Sequence, residues 1–247
     1  MKIIKLLTAV LALTLMLSGL AACQPASEGN TAEGNTDETN ASTVNPGTNG
    51  TNVGACDMNA ITAEIDSMNV MDFEETSEIS EYVKFKVEGH GEFVIRLRKD
   101  IAPITVDNFQ TLVSQGFYDG LTFHRIMKGF MIQGGDPKGD GTGNSANTIR
   151  GEFAENGVRN DLSHVCGVIS VARRSYPLDS ASCQFFVCNA DASYSLDGKY
   201  AGFGYVVAGL ETVLMISDVD VTYNAGGERS QPVETVVIEK VCFVVKK

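Results

Sequence analysis

The stretch Phe123–Asp136 reads FHRIMKGFMIQGGD and places one arginine, one histidine and one glutamine among phenylalanine, isoleucine and methionine. Charged side chains are seldom buried without a partner. A strand this rich in aromatic and aliphatic residues therefore predicts that Arg125 faces a cleft rather than the protein interior. The alternative is that Arg125 is a surface residue of the strand that pairs with a carboxylate.

The composition around this stretch is that of a globular protein. The chain has 247 residues, of which 43% are hydrophobic and 20% are charged, enough for one sizeable core. Its formal net charge is −12, and it has no cluster of lysine and arginine. Because binding to phosphates requires concentrated positive charge, we expect no nucleic-acid partner and no electrostatic attachment to an anionic membrane.

The N-terminus predicts a different route to a membrane. Two lysines precede an apolar run, Leu6–Leu17, which has the length of a signal peptide and is short for a membrane span. The run leads to Leu-Ala-Ala-Cys at residues 20–23, which resembles the lipobox of bacterial lipoproteins. We therefore expect residues 1–22 to be a signal peptide and Cys23 to be lipidated. The alternative is a plain signal peptide with an incidental cysteine.

Three further segments differ in composition. Residues 23–56 are rich in Ser, Thr, Asn and Gly and predict a disordered tether that starts at Cys23. Residues 57–80 are acidic and predict an extension that packs on the domain edge or is partly disordered; a short helix over Asp57–Met68 is compatible with them. Residues 81–247 carry the folded domain.

Hydrophobic periodicity predicts the elements of that domain. Two alternating runs around Gly89-His90-Gly91 indicate a β-hairpin. Further segments predict two helices and three strands: Pro103–Gln115 and Leu210–Ser217 for the helices, and Val168–Val171, Gln184–Cys188 and Val233–Val245 for the strands. This order does not alternate strand with helix. It therefore favours an antiparallel sheet or a closed barrel with helices at its ends.

No cofactor is expected from the sequence. The cysteines after Cys23 show neither a CxxC motif nor a Cys/His metal spacing, and their number is odd, so at least one stays free or pairs between molecules. The four in the domain are interpreted mostly as small buried hydrophobic residues. The glycines of residues 139–143 lack the Gly-Lys-Ser/Thr ending of a phosphate-binding loop. We expect neither a metal nor a nucleotide.

Six blocks in sequence order carry a family resemblance. They read FVIRLRKDIAPITVDNF, GFYDGLTFHRIMKGFMIQGGD, GTG, GVISVAR, SASCQFF and LDGKYAGFG, and they lie between Val83 and Val245. The domain resembles the cyclophilin-type peptidyl-prolyl cis-trans isomerases. The resemblance implies a mainly β fold, a closed eight-stranded antiparallel β-barrel capped by two α-helices. It also implies rotation about the peptide bond that precedes proline. The step from Ala172 to Gln184, with Arg173 after Ala172, resembles the bacterial branch.

The resemblance also implies the site. The catalytic residues would be Arg125, as the hydrogen-bond donor to the twisting amide, and Gln133, which orients it. The substrate-binding residues would be Phe130, Met131, Ala172, Arg173, Gln184, Phe186, Leu196 and Tyr200. Of these, Arg173 would act mainly through its backbone. The apolar members could instead be core residues, and Gln184 could only buttress the strands. His124 is expected to be structural and hydrogen-bonded inside the barrel.

Three positions depart from the family pattern, and one of them, Lys128 where the family frequently has proline, is expected to have little effect. Ser195 occupies a place where the family often has tryptophan, and the chain contains no tryptophan at all. We therefore expect a less apolar rim and weak binding of cyclosporin-like macrocycles. Tyr200 replaces a histidine found in many relatives and can still close the pocket.

The function expected is that of a surface-anchored isomerase that accelerates the folding of exported proteins. Its partners would be proline-containing polypeptides and, through the lipid at Cys23, the bacterial cell membrane, with the domain extracytoplasmic and monomeric. The alternative is a chaperone-like lipoprotein that binds proline-containing peptides with little turnover. A structural lipoprotein with a degenerate scaffold is a third reading, which the presence of both Arg125 and Gln133 disfavours.

Overall fold

A computed structural model of the chain describes residues 68–247. The predicted signal peptide, Cys23, the tether and residues 57–67 of the acidic extension lie outside them. The described residues are mainly β. Their eleven strands are β1 Phe73–Glu75, β2 Tyr82–Val87, β3 Gly91–Leu97, β4 Phe123–Met127, β5 Met131–Gly134, β6 Val168–Val171, β7 Phe185–Cys188, β8 Ala201–Ala208, β9 Val221–Tyr223, β10 Arg229–Pro232 and β11 Ile238–Lys246. Their helices are α1 Pro103–Ser114, α2 Ser193–Leu196 and α3 Leu210–Ser217.

Nine of these strands form one antiparallel sheet in the order β1-β11-β2-β3-β8-β6-β7-β5-β4, and β9 and β10 form a separate hairpin. The family resemblance implies eight strands in a closed barrel. In the described residues the sheet has nine strands, and its two edges, β1 and β4, are not hydrogen-bonded to each other. One isolated antiparallel bridge joins Thr122, just before β4, to Val237, just before β11.

The ninth strand comes from the acidic extension. β1 pairs with the end of β11, with Phe73 opposite Lys246. Phe73 is buried and its ring lies 5.3 Å from that of Tyr82. Residues 73–75 of the extension therefore lie on the edge of the sheet. The strand itself was not predicted, because only one of its three residues is buried.

Helix α1 begins at the predicted Pro103 and ends one residue before the predicted Gln115. Proline suits the first helical position because its missing N–H would have no partner there. The carboxylate of Glu152, itself buried, accepts hydrogen bonds from the backbone N–H groups of Ile104 and Thr105 at 3.0 and 2.8 Å. A side chain distant in sequence therefore satisfies the free donors of the helix start. The helix α3 has the predicted bounds.

The core lies between the sheet and helices α1 and α3. It is strongly aromatic: Phe85 stacks on Phe93 at 4.7 Å, and the ring of Phe109 lies 5.1 Å from that of Phe203. Offset and edge-to-face ring pairs add to the stabilisation that comes from area burial alone. This core fixes the strands on whose opposite face the site is built.

Cys166 is disulfide-bonded, and the other three cysteines in the described part of the chain, Cys183, Cys188 and Cys242, are free. Burial raises the pKa of Cys188 to about 12, so its thiol is protonated and inert at neutral pH. The interpretation of most domain cysteines as small hydrophobic residues is confirmed for Cys183 and Cys188, which are buried.

Between Met68 and Lys247, no helix is both long and apolar enough to cross a membrane.

Candidate active site

Two rows of side chains cross strands β4, β5, β7 and β6 on opposite faces. The pairing places four residues opposite one another, which we call the cleft row: Arg125, Gln133, Phe186 and Ser170. The next residues along each strand form what we call the core row: Ile126, Ile132, Val187 and Ile169. All four core-row side chains are fully buried in the main core. Because side chains alternate between faces along a strand, the cleft row points away from that core.

The orientation of Arg125 depends on an irregularity in β4. The pairing register shifts between Phe123 and Arg125, and both Phe123 and Ile126 are fully buried. Strict alternation would place Phe123 and Ile126 on opposite faces, so a bulge between them is required. The bulge allows both apolar residues to reach the core and still leaves Arg125 facing the cleft.

His124 occupies this bulge, and the expectation that it is hydrogen-bonded is wrong. The residue is half-buried, both of its ring nitrogens are buried, and neither has a hydrogen-bond partner among the described residues. Burial lowers the pKa of His124, so the ring is neutral at physiological pH. No hydrogen bond of a barrel interior holds this side chain.

The apolar part of the site is a cluster around Phe186. Its ring meets that of Tyr200 edge to face at 5.7 Å, and Met131 and Leu196 are buried beside it. The cavity between this cluster and Arg125 has a volume of about 210 Å³. It is lined by nine of the ten residues predicted for the site: Arg125, Phe130, Met131, Gln133, Ala172, Arg173, Phe186, Leu196 and Tyr200.

The tenth residue, Gln184, lies in an adjoining recess, which also contains Thr142 and Ser180. It accepts a hydrogen bond from Gln133 Nε2 at 2.9 Å, and its own Nε2 donates to the carbonyl oxygen of Gly143 at 2.7 Å. Gln184 therefore connects Gln133 to the glycine-rich loop. Its contacts are those of a buttress as much as of a binding residue.

The guanidinium of Arg125 is held at both edges. Nε and Nη2 donate to the two carboxylate oxygens of Glu228 at 2.6 and 2.8 Å, while Nη1 donates to Gln133 Oε1 at 3.1 Å. Both sequence-based alternatives for Arg125 therefore hold together, since it faces the cleft and it also pairs with a carboxylate. Sequence reasoning did not find Glu228, which is 103 residues away in the chain.

The side chain of Arg173 has a larger role than the sequence suggests. It is only 7% exposed, and its guanidinium carbon lies 4.6 Å from the ring centre of Phe153 and 4.9 Å from that of Tyr200. Its Nε donates to the carbonyl oxygen of Lys199 at 2.7 Å. The Arg173 side chain therefore fixes the wall that carries Tyr200, a role that the sequence did not predict. That Arg173 meets the substrate mainly through its backbone stays a prediction.

A polar cluster, in which His164 and Ser170 are buried and Asp197 is exposed, supports Phe186 from below. Nδ1 of His164 lies 2.8 Å from Asp197 Oδ1, and its Nε2 lies 3.0 Å from Ser170 Oγ. The imidazole ring stacks at 6.1 Å on the ring of Phe186. Burial lowers the pKa of His164. The pKa of Asp197 is raised by burial but lowered more by hydrogen bonds from Ser163 and His164, so that it falls overall.

Ser195 leaves the rim of the cavity open. It is exposed and is not among the residues that line the cavity; its hydroxyl donates to the carbonyl oxygen of Ala192 at 3.0 Å.

Within residues 68–247, no group of three or more His, Cys, Asp or Glu side chains is placed to hold a metal ion.

Comparison with known proteins agrees with this geometry. The family model described as cyclophilin type peptidyl-prolyl cis-trans isomerase/CLD matches residues 82–242. The peptidyl-prolyl cis-trans isomerase ppi1 of Schizosaccharomyces pombe is 41% identical over 121 residues, which cover 49% of this chain and 75% of the relative. Isomerase B of Bacillus subtilis is 39% identical over 137 residues, covering 56% and 91%.

A solved structure shows the same fold. The cyclophilin-type isomerase of Cryptosporidium parvum, determined in the presence of the dipeptide Ala-Pro, superposes with a TM-score of 0.57 at 25% identity and covers 66% of this chain and 98% of its own. The fungal and bacterial relatives match at nearly the same identity, so the bacterial branch stays a prediction. The family model covers well over half of the chain, and the chain therefore belongs to the cyclophilin-type peptidyl-prolyl cis-trans isomerase family.

Proposed function

We propose that this isomerase rotates X-Pro peptide bonds in the cavity between Arg125 and Phe186, and that its clients are exported or surface proteins. The observation that supports the proposal is that Arg125 and Phe186 line the same cavity. A guanidinium held at both edges lines a cavity of about 210 Å³ whose other wall is aromatic and aliphatic. This arrangement supplies both a fixed donor and a place for a proline ring.

The chemistry requires no bond to break. The nitrogen lone pair of an amide is delocalised into the carbonyl, which gives a rotation barrier of about 18–20 kcal/mol. A catalyst lowers this barrier if it binds the twisted state more tightly than either planar state. The aromatic and aliphatic wall of Phe130, Met131, Phe186 and Leu196 would hold the proline ring while the rest of the peptide turns.

Arg125 would stabilise the twisted state. The planar fork of an arginine guanidinium keeps its donors oriented. Besides Gln133, Arg125 Nη1 contacts only the sulfur of Met131, at 3.7 Å, among the described residues. That weak contact can be exchanged for the amide nitrogen lone pair or the carbonyl oxygen of the substrate. The backbone around Ala172 and Arg173 would align the peptide along the cleft.

The N-terminus supports a location outside the cytoplasm. The lipobox-like residues 20–23 and the polar segment that follows favour a monomeric domain tethered to the bacterial membrane through Cys23. Uncatalysed prolyl isomerisation takes about 10–100 s, slow enough to limit the folding of exported chains. Incorporation of labelled palmitate tests the anchor: it should occur in the wild type and be lost in Cys23→Ala.

The experiment that tests the catalytic proposal compares the full chain with Arg125→Ala on proline-containing peptides. The wild type should accelerate isomerisation, and the variant should do so far less. A wild type no faster than the variant would overturn the catalytic assignment. A binding protein with little turnover would instead suppress the aggregation of unfolded clients equally well in both forms.

A further inference from the structure

We propose that Glu228 is a positioning residue for catalysis, which holds the Arg125 guanidinium in the plane that presents Nη1 to the substrate amide. The inference rests on the proposed role of Arg125 as the donor. Glu228 belongs to the turn between β9 and β10, a hairpin outside the main sheet, and β10 lies against β4. The β9–β10 hairpin therefore contributes to the geometry of the cleft, although it is not part of the main sheet.

The contacts divide the guanidinium into two functional edges. Glu228 takes the Nε and Nη2 edge with two short, parallel hydrogen bonds of 2.6 and 2.8 Å. Paired charge-assisted bonds of this kind fix orientation as well as distance. The remaining edge, Nη1, donates to Gln133 and contacts the sulfur of Met131, and both of these residues line the cavity with Arg125. Together, the carboxylate and the amide define the plane of the guanidinium.

The hairpin turn is built to hold Glu228 in place. Asn224 accepts the backbone N–H of Glu228 through Oδ1 at 3.0 Å, and its own N–H donates to the carbonyl oxygen of Glu228 at 2.9 Å. Gly227, whose φ is +79°, provides the left-handed step that the turn needs. The backbone of Glu228 is thus bonded on both sides before its side chain reaches Arg125.

The expected effects on turnover and on stability separate a positioning role from a merely stabilising one. Both side chains are about one-third exposed, 30% for Arg125 and 35% for Glu228. The pair is partly buried, and water still screens its charges, so it contributes only modestly to folding stability. Catalysis is far more sensitive, because a small misplacement of a catalytic group can lower the rate greatly. Loss of Glu228 should therefore reduce turnover while leaving stability nearly unchanged.

The test measures kcat and KM of the full chain for a proline peptide with Glu228→Ala and Glu228→Gln. We expect kcat/KM to fall about tenfold in the alanine variant, mainly through kcat, since the apolar pocket that binds proline is intact. The glutamine variant keeps one acceptor for Arg125 and should recover part of that loss. Asp218→Ala is the matched control, because Asp218 pairs with Lys128, next to β4, at 2.8 Å; it should behave as wild type.

A double-mutant comparison links the effect to Arg125. In an Arg125→Ala background, Glu228→Ala should change kcat/KM by less than about twofold, because the group to be positioned is gone. A Glu228→Ala variant as active as the wild type, or more active, would overturn the inference. In that case, loss of activity in Arg125→Ala alone would leave the proposed function intact. An inactive wild type would instead refute the proposed function itself.

Discussion

The core row and the cleft row lie on the same four strands, one residue apart, and differ in almost every physical respect. Ile126, Ile132, Val187 and Ile169 are fully buried and apolar. The cleft row places a charge and an amide next to Phe186, with partners from three other parts of the chain. The core row needs only the right volume, whereas the cleft row needs specific partners in specific places.

The two faces of this sheet therefore have different roles, one in packing the core and one in forming the cleft. Packing of the core row fixes the positions of the strands, and those positions set the spacing of the cleft row on the other face. The cleft row is then refined by groups outside the sheet, namely Glu228 on the hairpin and His164 beneath Phe186. Substitutions in the two rows should therefore have separable effects on stability and on activity.

The largest effect is expected from Ile132→Ala in the core row. Truncation of a fully buried isoleucine should lower the free energy of unfolding by about 2–5 kcal/mol, because it removes apolar contact and leaves a cavity. Denaturant unfolding measures this loss. The kcat/KM of the folded fraction should stay within about twofold of wild type. A variant that is stable but inactive would break the proposed division between the rows.

The next effect is expected from Arg125→Ala in the cleft row. We expect kcat/KM to fall about a hundredfold, as for the loss of a donor that acts on the transition state. The thermal unfolding midpoint should fall only slightly, because the pair with Glu228 is partly exposed and is screened by water. Arg125→Lys is the control: it keeps the charge but loses the planar fork, and it should recover little activity. Full activity in the lysine variant would contradict a role for the fork.

A smaller effect concerns the rim beyond the cleft row. Ser195→Trp should tighten the binding of a cyclosporin-like macrocycle about tenfold, because the indole would supply apolar surface where the rim is open. Titration calorimetry of both proteins measures the change. Submicromolar affinity in the unmodified chain would contradict the view that Ser195 weakens this wall. Ser195→Ala serves as the control for loss of the bond to Ala192.

The smallest effect is a dependence of stability on pH. Burial lowers the pKa of His164 from its ordinary value of 6.5, so the folded state takes up a proton less readily than the unfolded state. The stability from neutral His164 is therefore complete above about pH 6.5 and is lost as the pH falls below it. Thermal unfolding from pH 8 to pH 5 should show this loss, less steeply in His164→Gln. An equally steep loss in that variant would assign the effect to other groups, such as His124.

Much of the fold follows from local patterns. Alternating runs predict β2 and β3, and apolar residues at helical spacing predict α1 and α3 with almost their observed bounds. The edge strand β1 has no such pattern, since its three residues gain their place by pairing with the last strand of the chain. The number of strands and the open hydrogen-bonding of the sheet edges depend on such pairings between distant segments.

The same division applies to the site. The sequence by itself determined which residues line the cavity, because their chemical types, order and spacing are those of the family, and nine of the ten lie together. Only the tertiary structure decided that a bulge turns Arg125 to the cleft, that Glu228 holds it, and that Arg173 is buried between two rings. A sequence motif specifies the chemical type and order of side chains along the chain. Which side chains contact one another depends on strand register and on the packing of segments up to 103 residues apart.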